Sequence, residues 1–333
     1  MKDNKFWDNK AVLITGANGF LASHLTAALL RKKAKVIGVI KYNVPSLLDS
    51  DAIKRSAKLK IIKGDIVDYP FVKKCMKAYK PQFCFHLAAQ AIVGKANKRP
   101  IPTFKTNIQG TWNLLEAIRE ASPATKIIVA SSDKAYGEHK KLPYMENAAL
   151  QALHPYDASK ACADILARTY AHTYNLSVAV SRCANIYGPG DTNFSRIIPD
   201  TMRSVLLGKD PVIRSDGTPI RDYIYIEDVV EAYLALAKAL YLSRPGVNGE
   251  PFNFGTGRPI SVLRLVKMMI KISGNRKLKP RILSKTKIKG EIDRQYLSSG
   301  KAVSLLKWRA RHGIAEGLKK TFVWHKERCR KWA

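Results

Sequence analysis

Short apolar runs alternate with longer stretches in which apolar positions recur every three or four residues. Lys10–Thr15, Lys35–Ile40, Leu59–Gly64, Phe83–Ala88, Lys126–Ala130 and Ser177–Arg182 read as buried strands. Leu21–Lys32, Thr106–Ala121, Ala158–Tyr174 and Glu227–Leu240 carry helical spacing. Strands that alternate with helices predict βαβ units, hence an α/β fold with a doubly wound, Rossmann-like parallel sheet and right-handed crossovers. After about residue 186 the texture changes. Gly-Pro-Gly at 188–190, Asp216-Gly217, Arg244-Pro245-Gly246 and Gly255-Thr256-Gly257 punctuate shorter elements. The expected division is a first lobe over 1–185, to which 221–245 returns, and a smaller mixed α/β lobe over 186–220 and 246–333.

Composition narrows the class. Hydrophobic residues make up 46% of the 333, a globular proportion. Lys or Arg interrupts every apolar run before the ~18 residues a membrane span needs. The segment Met1–Trp7 lacks the apolar core of a signal peptide, so a cytoplasmic protein is expected. Five cysteines, at 75, 84, 162, 183 and 329, form no C-x-x-C pair and fit a reducing compartment as small core residues. Charge is the outlier: 58 Lys+Arg against 26 Asp+Glu give a formal net charge of +32. An anionic partner is one reading and Lys-rich solvated faces the other. No RNA-recognition or zinc-finger signature accompanies the charge, so neither nucleic acid nor membrane is expected as a partner. The basic segment 324–332 reads as a solvated terminal helix.

The first strand runs into Thr15-Gly16-Ala17-Asn18-Gly19-Phe20-Leu21-Ala22, a Gly-rich strand-to-helix turn. Gly16 permits the tight turn, Gly19 lets the backbone approach a pyrophosphate, and Ala22 is small where helix and strand must pack closely. A helix N-terminus then presents free N–H groups to the anion. The end of the second strand, where a carboxylate would hold the ribose of NAD, carries Ile40 and Lys41. Lys41 suits a 2′-phosphate, tilting toward NADP, or is a solvated loop lysine. Asp65, followed by Ile66, is placed to accept from an adenine amino group or to cap a helix.

The fifth strand ends in Ser131-Ser132-Asp133-Lys134, and Tyr156 and Lys160 stand four apart at the start of a helix. That spacing puts them on one helical face. A Lys ammonium beside a phenol lowers its pKa, so the pair predicts a proton acceptor for a sugar hydroxyl. His86 reads as a structural histidine, and no second His stands at ligand spacing, so no metal is expected.

Several segments together carry a resemblance: TGANGFLA (15–22), GDIVD (64–68), HLAAQ (86–90), TNIQGTWNLLEA around Asn107, SSDKAYG (131–137), YDASK (156–160), RCANIYGPG (182–190) and RDYIYIEDVVEAY (221–233). The chain resembles the extended short-chain dehydrogenase/reductases of the NAD-dependent epimerase/dehydratase family. Ser132-Asp133-Lys134, in which Lys replaces the second acid, is most similar to the CDP-glucose 4,6-dehydratase branch.

The resemblance implies a tightly bound, recycled NAD or NADP held by Gly16, Asn18, Gly19, Phe20, Leu21, Lys41, Asp65, Ile66, Leu87, Ala88, Ala89, Tyr156 and Lys160. It implies a nucleotide-diphosphate sugar held by Asn185, Asn193, Arg203 and Arg221. Tyr156 would take the proton of the 4-hydroxyl with Ser132 and Lys160 assisting. Asp133 would act as acid and Lys134 as base in losing water across carbons 5 and 6. The expected substrate is CDP-glucose, with GDP-mannose second, and the expected assembly a homodimer. A 4-epimerase or 4-reductase would share Ser132, Tyr156 and Lys160 without needing Asp133 or Lys134. A nucleic-acid-binding protein on a dehydrogenase scaffold is the reading from a different class.

Overall fold

The computed structural model describes residues 5–284 and 292–328. Seven parallel strands build the main sheet. They are β1 (Ala11–Thr15), β2 (Lys35–Ile40), β3 (Leu59–Lys63), β4 (Phe83–His86), β5 (Lys126–Ala130), β6 (Val178–Cys183) and β7 (Pro251–Phe254). Their order is β7-β6-β5-β4-β1-β2-β3, so the winding reverses between β1 and β4. That reversal opens a crevice at the C-terminal strand ends, the general ligand position of open α/β sheets. The register Thr15↔Val39 and Thr15↔His86 brings the phosphate-loop strand level with both neighbours there.

The central strands are apolar on both faces, as a sheet covered by helices on both sides requires. Val12 and Ile14 join one buried cluster with α1 (Phe20–Arg31), whereas Leu13 faces the other with α2 (Tyr69–Tyr79) and α3 (Gly110–Ala121). The long helix α4 (Pro155–Tyr174) packs on that second face. Arg182 of β6 pins α4 from within. Fully buried, it donates Nε and Nη2 to Asp164 at 2.7 and 2.9 Å, and Nη1 to the Tyr136 hydroxyl at 2.8 Å. Removing one partner of such a buried pair costs about 3–5 kcal/mol. The pair thus fixes α4 and the turn after β5 to one strand.

The second lobe has its own apolar cluster. It draws on α5 (Ile197–Leu206), α7 (Val262–Ser273) and α8 (Ile314–Arg328). The intervening α6 (Ile226–Tyr241) packs Val229, Tyr233, Leu236 and Leu240 into the first lobe's apolar cluster. Two boundaries differ from the sequence reading. It gave 246–333 to the second lobe, but 251–254 is the edge strand β7, and Ala302, Leu306 and Trp308 pack into the first core. It gave 221–245 to the first lobe, but Arg221 pairs with Ile260 and Gln295 in a small sheet of the second. Residues 329–332 of the basic terminal segment, and Cys329, lie outside the described residues. Of the other cysteines, 75, 84 and 183 are buried, 162 is half-buried, and all four are free. No described helix is long and apolar enough to cross a membrane.

Candidate active site

A cavity of about 640 Å³ lies between the lobes at the C-terminal strand ends. Gly19, Phe20, Leu21, Leu87 and Ala89 line one end, and Ser132, Asp133, Lys134, Tyr156 and Lys160 line its middle. Asn185, Asn193 and Arg221 line the wall toward the second lobe.

The phosphate loop is shaped for close approach. Gly16 has φ +67°, and a Cβ there would stand 2.8 Å from Ala88 Cα, so only glycine fits both the backbone and the neighbour. The Gly19 N–H closes the turn on the Gly16 carbonyl at 2.8 Å. No side chain caps α1, whose first turn meets the cavity through Gly19–Ala22. This cradle fits a dinucleotide pyrophosphate. Gly16 and Ala88 support that wall from behind. Asn18 lies off it, donating Nδ2 to the Tyr42 carbonyl at 2.6 Å. Lys41 and Asp65 meet in an ion pair of 2.6 Å beyond the cavity lining. Asp65 Oδ1 also accepts from Val67 N at 3.1 Å, but it does not cap the helix that follows: Asp68 does, its Oδ1 accepting from Phe71 N at 3.1 Å. Ile66 is buried under Gly110 rather than facing the cavity.

His86 is buried with both ring nitrogens engaged, Nδ1 with Thr15 Oγ1 at 2.9 Å and Nε2 with Thr111 Oγ1 at 3.0 Å. Burial pushes it down to about 3, so it stays neutral. Among the described residues no three His, Cys, Asp or Glu side chains come together as a metal site.

The turn after β5 runs from Asp133 to Tyr136 and is capped by Ser132, whose Oγ accepts from Lys134 N at 3.2 Å and donates to Asp133 Oδ1 at 3.0 Å. Asp133 is 1% exposed and its Oδ2 has no partner. Burial raises its carboxyl against the opposing pull of Lys134, which favours the protonated acid. Lys134 donates Nζ to Gln295 Oε1 at 3.2 Å.

Tyr156 departs from the expected electrostatics. Its phenol is pushed up to about 12 by burial, with Arg196 the largest counterweight and a Ser132 hydrogen bond a smaller one. Lys160 lies one turn along α4, but its Nζ donates to the Ala130 carbonyl at 2.7 Å, and burial lowers it to about 8. Desolvation outweighs the opposing pull of the cation nearby.

Asn107 braces this end: its Oδ1 accepts from Gln90 N at 2.8 Å and its Nδ2 donates to Ser159 Oγ at 2.9 Å. That ties the loop after β4 to the helix of Tyr156.

On the second-lobe wall, Asn185 donates Nδ2 to the Asp222 carbonyl at 3.1 Å. Arg221 donates to the Ile220 and Asp293 carbonyls at 3.0 and 3.3 Å. Asn193 bonds its own turn through Ser195. Arg203 is not a wall residue: it pairs with Asp200 at 2.7 Å and lies over the Phe194 ring. Sequence reasoning missed Arg196 and Arg214, which line the cavity, because nothing distinguishes them among 58 basic residues. It also missed Gln295, for which no sequence signal exists.

Comparison with known proteins follows the same outline. The GDP-mannose 4,6 dehydratase family model matches residues 13–321. A dTDP-D-glucose 4,6-dehydratase of Bos taurus is 30% identical, covering 97% of this chain and 90% of its own. A CDP-glucose 4,6-dehydratase of Salmonella typhimurium is 29% identical, covering 98% and 93%. A dTDP-glucose 4,6-dehydratase of Bacillus anthracis, solved with NAD, is 26% identical and superposes with a TM-score of 0.84 over 97% of this chain and 98% of that one. A UDP-glucose 4-epimerase of Thermotoga maritima, solved with UDP-glucose, reaches the same 0.84 at 30% identity, covering 95% and 99%. With the family model spanning nearly the whole chain, the chain belongs to the GDP-mannose 4,6 dehydratase family, among the NAD-dependent epimerases and dehydratases of nucleotide sugars.

Proposed function

We propose that the protein is an NAD-dependent 4,6-dehydratase that converts a nucleotide hexose, CDP-glucose before GDP-mannose, to its 4-keto-6-deoxy product. The observation that carries the reading is Asp133. A carboxyl buried at the cavity wall, raised by desolvation and with Oδ2 unpartnered, is a resident proton donor beside a lysine. An epimerase has no use for it. Overall shape does not separate the two activities, because dehydratase and epimerase superpose equally well.

The phosphate loop and Lys160 would hold NAD, which would supply reversible hydride chemistry between carbons 4 and 6 of the sugar. The chain moves the protons. Tyr156 takes the 4-hydroxyl proton, and because its resting phenol is high, Arg196 and Lys160 must stabilise the phenolate as it forms. Ser132 orients that hydroxyl. Lys134 removes the proton at carbon 5, made acidic by the adjacent ketone, and returns it there as carbon 6 is reduced. Asp133 protonates the departing 6-hydroxyl, so the carbon–oxygen bond breaks and water leaves. Arg221 and Asn185 hold the diphosphate, for which a guanidinium offers paired donors. Lys134 in the place of a second acid favours CDP-glucose. The exposed Trp112 of α3 and Ile165 of α4, 43% and 53% accessible, support a homodimer through those helices.

The test is incubation with CDP-glucose, GDP-mannose, dTDP-glucose and UDP-GlcNAc separately, followed by mass spectrometry. Loss of one water, about 18 mass units, without net coenzyme consumption is expected. Isomerisation at constant mass would replace this reading with a 4-epimerase.

A further inference from the structure

Gln295 is fully buried on the two-residue strand Arg294–Gln295 of the second lobe. It sits 161 residues beyond Lys134 in the chain, yet both ends of its amide are spent on the elimination pair. Its Oε1 accepts from Lys134 Nζ at 3.2 Å, and its Nε2 donates to the Asp133 carbonyl at 3.2 Å. Its backbone pairs in parallel with Arg221, and its carbonyl accepts from Asp222 N at 3.2 Å. One residue therefore couples the turn that carries acid and base to the strand that carries the diphosphate arginine. A lysine side chain has four rotatable bonds, and proton abstraction requires it held within a few tenths of an ångström.

We propose that Gln295 is a positioning residue for the elimination step, holding Lys134 and Asp133 in register with the sugar anchored by Arg221. This rests on the dehydratase reading. It predicts a division between steps, because Gln295 touches the elimination pair and not Tyr156 or Ser132.

The experiment compares wild type with Gln295→Met, which keeps length but not the amide, and Gln295→Asn, which keeps the amide but not the reach. Each is mixed with CDP-glucose in D₂O. Reduced coenzyme is followed at 340 nm in a single turnover, and deuterium at carbon 5 and water loss by mass spectrometry. Both variants should form reduced coenzyme within about threefold of the wild-type rate and accumulate it. Carbon-5 exchange and water loss should fall at least thirtyfold. Equal loss of both steps would mark a merely structural role and overturn the inference, as would full elimination in either variant. Should the Met variant fail to fold, the Asn variant alone decides. If wild type itself dehydrates none of the four nucleotide sugars, the functional reading fails, and that result is distinct from the variants behaving like an active wild type.

Discussion

The two lobes contribute to the cavity by different means. The first supplies its chemistry from the turn after the five-residue β5 and from the twenty-residue helix α4, both held by a seven-stranded sheet. The second supplies its contacts from strands of two residues, such as Ile220–Arg221 and Arg294–Gln295. Long paired strands fix a side chain through many cooperative bonds. Two-residue strands fix one only through what it touches, which is why Arg221 rests on neighbouring carbonyls and Gln295 on the elimination pair. The first lobe should therefore govern rate, and the second binding and alignment. Substitutions in each lobe test that division.

The largest effect belongs to Tyr156→Phe. Deleting the phenol removes the proton acceptor of the first step while leaving the apolar ring in place. Turnover should fall by about 10²–10⁴-fold with KM little changed, read by steady-state kinetics. A fall of less than tenfold would mean that another group takes the 4-hydroxyl proton.

Asp133→Asn comes next and has two readouts. Elimination should fall by about 10²-fold or more while reduced coenzyme still forms. An unaffected turnover would show that no elimination acid is needed, as in an epimerase. Stability should move the opposite way. A carboxyl whose folded pKa is raised above its ordinary 3.8 favours the folded state fully only below that value, and the benefit is lost as pH rises through the folded pKa. Asn has no such loss. The variant's melting temperature should exceed wild type at neutral pH, and the gap should close as pH falls toward 4. A gap constant across this range would show that the Asp133 carboxyl is not raised.

Arg221→Ala tests the second lobe. Charge-assisted bonds to a diphosphate are worth about 1.5–3 kcal/mol, so KM should rise roughly ten- to hundredfold, with a smaller fall in kcat. If kcat falls as far as in Tyr156→Phe, the proposed division of labour between lobes is wrong.

The same contrast explains what could be read from the chain alone. Strand β2 was expected over Lys35–Ile40 and is found there, because five of its six residues are buried and the apolar run is nearly unbroken. Ser132, Asp133, Lys134, Tyr156 and Lys160 are all wall residues of one cavity. Their spacing within one turn and one helix is local information. Strand β7 escaped notice because Pro-Phe-Asn-Phe is four residues long beside a Gly-Thr-Gly turn and carries no period. Gln295 was invisible because its role depends on a partner 161 residues away. Tyr156 shows a different gap. Spacing places Lys160 beside it, but only the fold reveals that the ammonium is tied to the Ala130 carbonyl and that burial dominates the phenol.

Lys41→Ala should have the smallest effect and sharpens the comparison at the coenzyme end. Strand β2 ends in Ile40, so it offers no carboxylate to a ribose, and the adjacent lysine is the charged group in reach. That lysine is already paired with Asp65 at 2.6 Å, with 43% and 31% of the two side chains exposed. An ion pair this exposed is worth about 0–1 kcal/mol, or up to roughly fivefold in affinity. NAD affinity, measured by calorimetry, should therefore change less than fivefold. A 2′-phosphate would have to compete with Asp65 for Lys41, so wild type should bind NAD at least as tightly as NADP. Tighter binding of NADP by wild type, with a loss above tenfold on substitution, would show that the lysine leaves Asp65 for the phosphate and that the coenzyme is NADP.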